Sequence, residues 1–258
     1  MTDKQRAAVE SSDLQRLDPT YDLLDRPVAL GGADDVILAA PAPDTPTIDG
    51  RPVEDPRLVE ALSVPQTFSR ADVLDRAAKL GGVLRVLGAD GASRLIVSGD
   101  LPTHVRAFAV LAGVRIGVLV DDEAAVDSDA TPRSGDTTER ASPTDAADAD
   151  ADAETLTIRP HRDGESTAES ADSAIRTAVR SVRSHFEGIA VEGGGQSRDL
   201  DRLVRDSRIQ PAASRPRDAQ RPALVVNGTT LTLADAAGHL ADLLMTVDAD
   251  TSSDHQLG

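Results

Sequence analysis

Hydrophobic positions recur with helical spacing between residues 67 and 120. Ser69 stands three residues before Asp72, a pairing typical of a helix start. The apolar residues that follow are spaced by four and three positions, as on one face of an α-helix: Val73, Ala77, Leu80, Leu84 and Leu87. The pattern therefore predicts a helix that ends at the glycine-bearing turn of residues 88–91.

The same stretch continues with two apolar runs and a second helix. Residues 94–98 and 116–120 are rich in aliphatic residues, as are strands buried on both faces. Between them, Pro102 marks a helix start, and Val105 and Phe108 begin its inner face. Helix, strand, helix and strand in this order predict a βαβ unit, which requires a parallel sheet.

Shorter apolar runs extend this architecture in both directions. The additional predicted strands are 36–40, 155–158, 188–191 and 223–226, and the additional predicted helices are 2–16, 56–62, 171–187, 200–204 and one that starts at Thr232. The fold class predicted from all these elements is α/β. It consists of a mostly parallel sheet flanked by helices, with helices expected on both faces.

Composition divides the chain into five segments. Residues 121–154 are mainly Asp, Ala, Ser, Thr and Pro, offer little to bury, and are predicted to be a disordered acidic linker. The five segments are an N-terminal extension with a short strand at 1–66, the core unit at 67–120, the linker at 121–154, the second part of the α/β core at 155–247 and a polar tail at 248–258.

Charge chemistry indicates an environment rather than a reaction. Asp and Glu total 44 against 27 Lys and Arg, so the formal net charge is -17. Lys4 and Lys79 are the only lysines, and aromatic residues make up 2% of the chain. Acidic, lysine-poor compositions of this kind are typical of extreme halophiles, where salt screens surface charge. The negative balance argues against nucleic-acid and anionic membrane partners, because phosphates would be repelled.

The absence of cysteine narrows the possible chemistry, and the polar N-terminus indicates a location. The chain has no cysteine, which excludes disulfides, thiolate catalysis and cysteine-based metal centres. The first residues are polar and show no apolar signal segment, so a cytoplasmic protein is expected.

Four short motifs occur in one order along residues 66–120. They are Asp75–Gly88, Ala92–Val97, Leu101–His104 and Leu111–Gly117. Together they resemble a helix, a strand, a turn and a second helix in the N-terminal domain of the AMP-forming acyl-CoA synthetases. The resemblance is to the acetyl- and propionyl-CoA synthetase type and covers scaffold residues. It implies an α/β fold and places a phosphate-binding loop after a later strand.

Residues 227–231 stand where the resemblance places that loop. Gly228, Thr229 and Thr230 follow the predicted strand 223–226 and match its glycine and hydroxyl positions. Asn227 stands in place of the family's serine, Leu231 in place of a glycine and Ala234 in place of the lysine. The alternative is an ordinary turn, because Asn-Gly is a favoured hairpin dipeptide.

The resemblance and its departures lead to a functional hypothesis. In the family, the adenine site and a lysine-bearing C-terminal domain follow that loop, and we expect no counterpart of either here. We therefore expect a relative that forms no acyl-adenylate, requires no cofactor and retains at most weak ATP, AMP or CoA binding. An accessory or regulatory role would follow.

Two other hypotheses stay open. In the first, the chain is a small acidic α/β module that binds a protein partner and does not bind nucleotide. Its acidic linker or the predicted helix with Arg176, Arg180 and Arg183 would meet the partner. In the other, the product has no biochemical role.

The histidines offer no chemistry at the sequence level. They are His104, His161, His185, His239 and His255, and no pair falls three or four residues apart. Metal binding is therefore not predicted, and surface or half-buried positions are expected for them.

Overall fold

The computed structural model describes most of the two predicted core segments. The described residues are 16–42, 46–48, 51–123, 154–161 and 185–244. The described helices are a π-helical turn Tyr21–Asp25, α1 (Arg26–Ala29), α2 (Pro56–Leu62), α3 (Arg70–Val86), α4 (Thr103–Ile116), α5 (Leu200–Arg205) and α6 (Leu233–Leu244).

The strands outnumber the helices and are mostly short. They are β1 (Arg16–Leu17), β2 (Val36–Ala40), β3 (Thr47–Ile48), β4 (Arg51–Pro52), β5 (Gln66–Ser69), β6 (Arg94–Val97), β7 (Leu119–Asp122), β8 (Thr155–Pro160), β9 (Ile189–Gly193), β10 (Gln196–Asp199), β11 (Arg217–Asp218), β12 (Pro222–Val226) and β13 (Thr229–Thr232). Apart from one displaced strand and the predicted helices 2–16 and 171–187, the predicted elements are present within a few residues of their expected positions.

One sheet unites the two predicted core segments. Its strand order is β10-β9-β8-β6-β7-β12-β13. The neighbours β8, β6, β7 and β12 are parallel, whereas β9 and β13 run antiparallel to the strands beside them. The predicted α/β class with a mostly parallel sheet is confirmed. Three separate two-stranded sheets pair β1 with β11, β2 with β5, and β3 with β4.

The helix predicted from Ser69 and Asp72 forms as α3. The Ser69 Oγ atom accepts a hydrogen bond from the Asp72 N–H at 3.2 Å, and the Asp72 carboxylate accepts one from the Ser69 N–H at 3.1 Å. This reciprocal pairing is a capping box, which satisfies backbone donors that a helix start leaves without partners. The Ser69 hydroxyl also donates a hydrogen bond to the Asp72 carboxylate at 2.7 Å, and this bond, together with that from the Ser69 N–H, lowers the pKa of Asp72.

The helices form a layer over one face of the sheet. The crossover helix α4 joins parallel strands β6 and β7, and α3 and α6 pack beside it. Side chains of α4 are buried almost all round, since the sheet lies below it and other helices flank it. The sequence predicts helices on both faces. Among the described residues, the helices lie over one face. On the opposite face of the sheet, Ile96, Asp121 and Thr157 are partly exposed.

The strand predicted at 116–120 begins three residues later and ends two residues later, as β7. Helix α4 continues through Ile116 and ends at Gly117, whose φ of 83° is the left-handed conformation that glycine adopts at a helix end. Asp121 and Asp122, assigned by the sequence to the linker, therefore belong to β7. Hydrophobicity does not reveal the end of this strand, because Asp122 is buried with its charge paired.

Other sequence predictions fall largely outside the described residues. They are the helix at 2–16, most of the linker 121–154, the helix at 171–187 and the tail at 248–258. The last residues of the predicted helix 171–187 are described. Residues 185–188 form a turn, so the prediction of a helix is wrong for residues 185–187.

Candidate functional site

The carboxyl ends of the central strands meet along one edge of the sheet. Val97 of β6 pairs with Ile158 of β8 on one side and with Asp122 of β7 on the other, and Asp122 pairs in turn with Val226 of β12. We call this line of strand ends the carboxyl edge. Open α/β sheets bind ligands in the crevice beyond such an edge.

The strand order reverses at β6. The chain passes from β6 through α4 to β7 on one side, and then returns to place β8 on the other side of β6. Ligand crevices of open sheets form at such reversals, because connections leave neighbouring strands in opposite directions. The carboxyl edge is therefore the candidate functional site.

A buried charge network occupies the β7 part of the edge. The Asp122 side chain is fully buried, and its carboxylate accepts hydrogen bonds from Arg106 Nε at 2.5 Å and Nη2 at 2.9 Å. His239 Nε2 of α6 lies 3.3 Å from the same carboxylate. We call these three residues the Asp122 network. It ties α4 and α6 to the end of β7.

The predicted phosphate-loop residues lie beside this network. Asn227 and Gly228 have φ angles of 51° and 75°, and they join antiparallel strands β12 and β13. Positive φ at both positions is the type I′ hairpin turn that Asn-Gly favours. The ordinary-turn geometry is therefore the one observed. Gly228, Thr229 and Thr230 are exposed, and phosphate binding by them stays a prediction.

An aromatic cluster covers the β6 and β8 part of the edge. It brings together every phenylalanine of the chain and two of its histidines: Phe68, His104, Phe108, His185 and Phe186. We call it the aromatic–imidazole cluster. It connects β5, the first turns of α4 and the turn at 185–188, which leads into β9.

His104 is central to this cluster. Its ring stacks on Phe68 with centroids 5.5 Å apart, and the His185 ring stands edge-on at 6.1 Å. The His104 Nδ1 atom is buried and has no hydrogen-bond partner among the described residues. Burial, with a smaller contribution from the positive charge of Arg76, lowers the pKa of His104 to about 4. The ring is therefore neutral at neutral pH.

Sequence reasoning missed both groupings. His104 and His185 are far apart in the chain, and so are Arg106, Asp122 and His239, so spacing rules for metal or catalytic pairs do not detect them. Only the scarcity of aromatic residues was a usable signal. In a chain with three phenylalanines, aromatic side chains are expected to gather where a core needs large groups.

Comparisons with known proteins add a limited finding. No protein-family model and no curated protein matches the chain. Among solved structures, it is weakly similar to an acyl-CoA synthetase from Brucella canis, with a TM-score of 0.29 and 18% sequence identity. The match covers 41% of this chain and 16% of that chain, so it spans a small part of the enzyme.

None of the described helices has the length and apolar character needed to cross a membrane.

Proposed function

We propose that this protein is a non-catalytic accessory or regulatory protein built on an acyl-CoA synthetase-like scaffold. It binds ATP, AMP or CoA weakly at the carboxyl edge beside Gly228, Thr229 and Thr230. The motifs of residues 66–120 support the scaffold. The position of the Asn227–Gly228 turn next to the end of β7 supports the location of the ligand.

The Asp122 network is the observation that carries the non-catalytic part of the proposal. Its carboxylate is fully buried, and both oxygens are engaged by Arg106, with His239 beside one of them. Charged groups stabilise a transition state when they face the position where charge develops. Here Arg106 and Asp122 instead neutralise each other and hold helices in place.

Ligand-dependent melting tests the binding part. A ligand that binds only the folded state raises the melting temperature, so about 1 mM ATP, AMP or CoA in concentrated KCl should increase it. The double variant Thr229→Val, Thr230→Val removes two hydroxyl groups and keeps β-branched residues in the strand. We expect a smaller ligand shift for this variant.

The control variant is Thr67→Val, which removes an exposed strand hydroxyl from β5, outside the central sheet. Its ligand shift should equal that of the unmodified protein. Absence of any shift with all three ligands contradicts the binding part. Adenylate formation, measured as ATP–pyrophosphate exchange by the purified chain, contradicts the non-catalytic part.

A protein-interaction module without nucleotide binding is the second candidate. The edge strand β13 favours it: the residues Thr229–Thr232 carry no charge, and Thr229 and Thr230 are exposed. An uncharged strand edge offers backbone groups to a partner's strand. Thr230→Lys should then abolish partner binding, while the three nucleotide ligands leave the melting temperature unchanged.

A further inference from the structure

Ring contacts help to hold the turn at 185–188 against the helical layer, beside the ion pair of Glu187 with Arg205 of α5. His185 lies edge-on to Phe68 with centroids 4.8 Å apart, and Phe186 contacts Phe108 at 6.0 Å. His185 has a φ of 67°, in the left-handed region that non-glycine residues rarely adopt. Such a conformation persists only where surrounding contacts enforce it. The packing of the aromatic–imidazole cluster therefore contributes to the attachment of the turn.

The turn also reaches the carboxyl edge through the backbone. The His161 N–H, directly after β8, donates a hydrogen bond to the Gly188 carbonyl oxygen at 2.8 Å. The Ile189 N–H donates to the Phe186 carbonyl oxygen at 3.2 Å. The His161 amide reports whether the turn is seated against the end of β8, and the Ile189 amide reports whether the turn itself is closed.

We propose that His104 and the 185–188 turn form an acid-sensitive latch over the carboxyl edge, in which protonation of His104 releases the turn from α4 and β5. The imidazolium would have to sit half-buried against the Phe68 and Phe108 rings, where its charge is poorly solvated. It would also face the guanidinium of Arg76, which lies over the Phe68 ring 5.7 Å from its centroid. Both effects favour an open turn that exposes His104 to water.

Charged and titratable groups lie on several of the elements that form or flank the cluster. They are Arg76 and Asp72 of α3, Arg106 of α4, Asp122 of β7, His239 of α6, and His185 and Glu187 of the turn. Asp72 is paired with Arg76, Asp122 with Arg106, and Glu187 with Arg205. The carboxylates thus have cationic partners of their own, and Arg76 is the charge that acts on His104.

The sign of the effect follows from the two protonation equilibria. The pKa of His104 is about 4 in the seated cluster and 6.5 for a solvated histidine. As the pH falls below 6.5, His104 binds a proton in the opened form but not in the seated form. Opening therefore becomes more favourable until about pH 4. At about pH 5.5 the opening equilibrium should increase about tenfold relative to neutral pH.

Amide hydrogen exchange tests the latch in the full chain, in concentrated KCl. Protection of the Ile189 and His161 amides, corrected for intrinsic exchange, should fall about tenfold between about pH 7.5 and about pH 5.5. The Ser98 amide, bonded to the Ile158 carbonyl oxygen at 3.0 Å within the sheet, serves as the control and should not change. An equal fall at Ser98 would show global destabilisation and overturn the proposal.

The variant His104→Phe keeps an aromatic ring on Phe68 and removes the titration. The acid response of Ile189 and His161 should disappear in it, and a response equal to that of the unmodified chain would overturn the latch. The comparison between variants matters because burial raises the pKa of Asp201 to about 6, which stabilises the fold on acidification. That contribution is the same in both proteins.

A second measurement decides the matter if His104→Phe does not fold. NMR titration of the unmodified chain follows the His104 ring directly. Chemical shifts that titrate well below pH 6.5, together with loss of protection at Ile189, support the latch. A His104 ring that titrates near 6.5 while Ile189 stays protected overturns it.

Discussion

Two glycines inside helices show that the effect of adding a side chain depends on the surroundings of the residue. Gly82 of α3 is buried, and a Cβ atom there would lie 2.0 Å from the Gln210 carbonyl oxygen. The segment carrying Gln210 cannot easily withdraw, because Lys79 Nζ donates to the Ile209 carbonyl oxygen at 2.5 Å and the Ala212 N–H donates to the Ala78 carbonyl oxygen at 2.7 Å. Glycine at position 82 permits this close contact between helix and loop.

Gly82→Ala should therefore destabilise the protein by about 2 kcal/mol or more, because overpacking against backbone outweighs the helix preference of alanine. Gly238 of α6 is exposed, and a Cβ there meets nothing within 4 Å. The matched variant Gly238→Ala should stabilise by about 0.5–1 kcal/mol. Urea unfolding in concentrated KCl measures both, and equal effects from the two substitutions would contradict this account.

At the scale of elements, strand β7 carries two neighbouring aspartates with different roles. Asp122 is fully buried and bonded to Arg106 of α4, with His239 of α6 beside it. Asp121 points to the other face and pairs with Arg94 of β6, where both side chains are partly exposed. The first carboxylate joins three elements, and the second adds a surface ion pair within the sheet.

Asp122→Asn should destabilise the fold by about 3 kcal/mol, because it leaves the largely buried Arg106 without its counter-charge. The control Asp121→Asn should cost less than about 1 kcal/mol, since solvent screens the exposed pair. Chemical unfolding of both variants at one salt concentration separates the two cases. A loss at Asp121 as large as that at Asp122 would show that the Asp122 network does not anchor α4 and α6.

At the scale of the whole molecule, self-repulsion is the dominant charge effect. The net charge of -17 acts across the entire chain, and it is reduced only when ions screen it. The screening length falls from about 10 Å in 0.1 M salt to about 3 Å in 1 M salt. The folded state, which is compact, gains more from this screening than the unfolded chain does.

We therefore expect the melting temperature to rise steadily as KCl increases from about 0.1 M to about 2 M, through the range in which screening becomes short. Differential scanning fluorimetry or calorimetry measures this directly. Sucrose at matched osmolality is the control, because it stabilises through exclusion and leaves charge unscreened. A melting temperature that KCl does not raise beyond sucrose contradicts a charge-limited fold.

Much of the architecture could be predicted from local patterns. Ser69, Asp72 and the apolar face after them determine where α3 begins and which side it buries, and the structure agrees. The aliphatic runs in β6 and β12 likewise mark central strands. These predictions succeed because capping and helical periodicity are properties of residues close together in sequence.

The candidate site could not be predicted in the same way. Asp122 looks like the start of an acidic linker until Arg106 and His239 are placed beside it. His104 is half-buried, within the range expected from the sequence, but its spacing does not reveal its contacts with Phe68 and His185. In each case the chemistry depends on partners from other elements, which the fold alone brings within reach.

The sequence by itself determined the class of fold, the helix starts, the strand-forming runs and the acidic surface, because each depends on local spacing or on composition. The tertiary structure alone decided that β6, β7 and β12 lie side by side, that Asp122 is buried, and that His104 packs against Phe68 and His185. Burial and charge pairing depend on distances between residues far apart in the chain, and packing sets those distances.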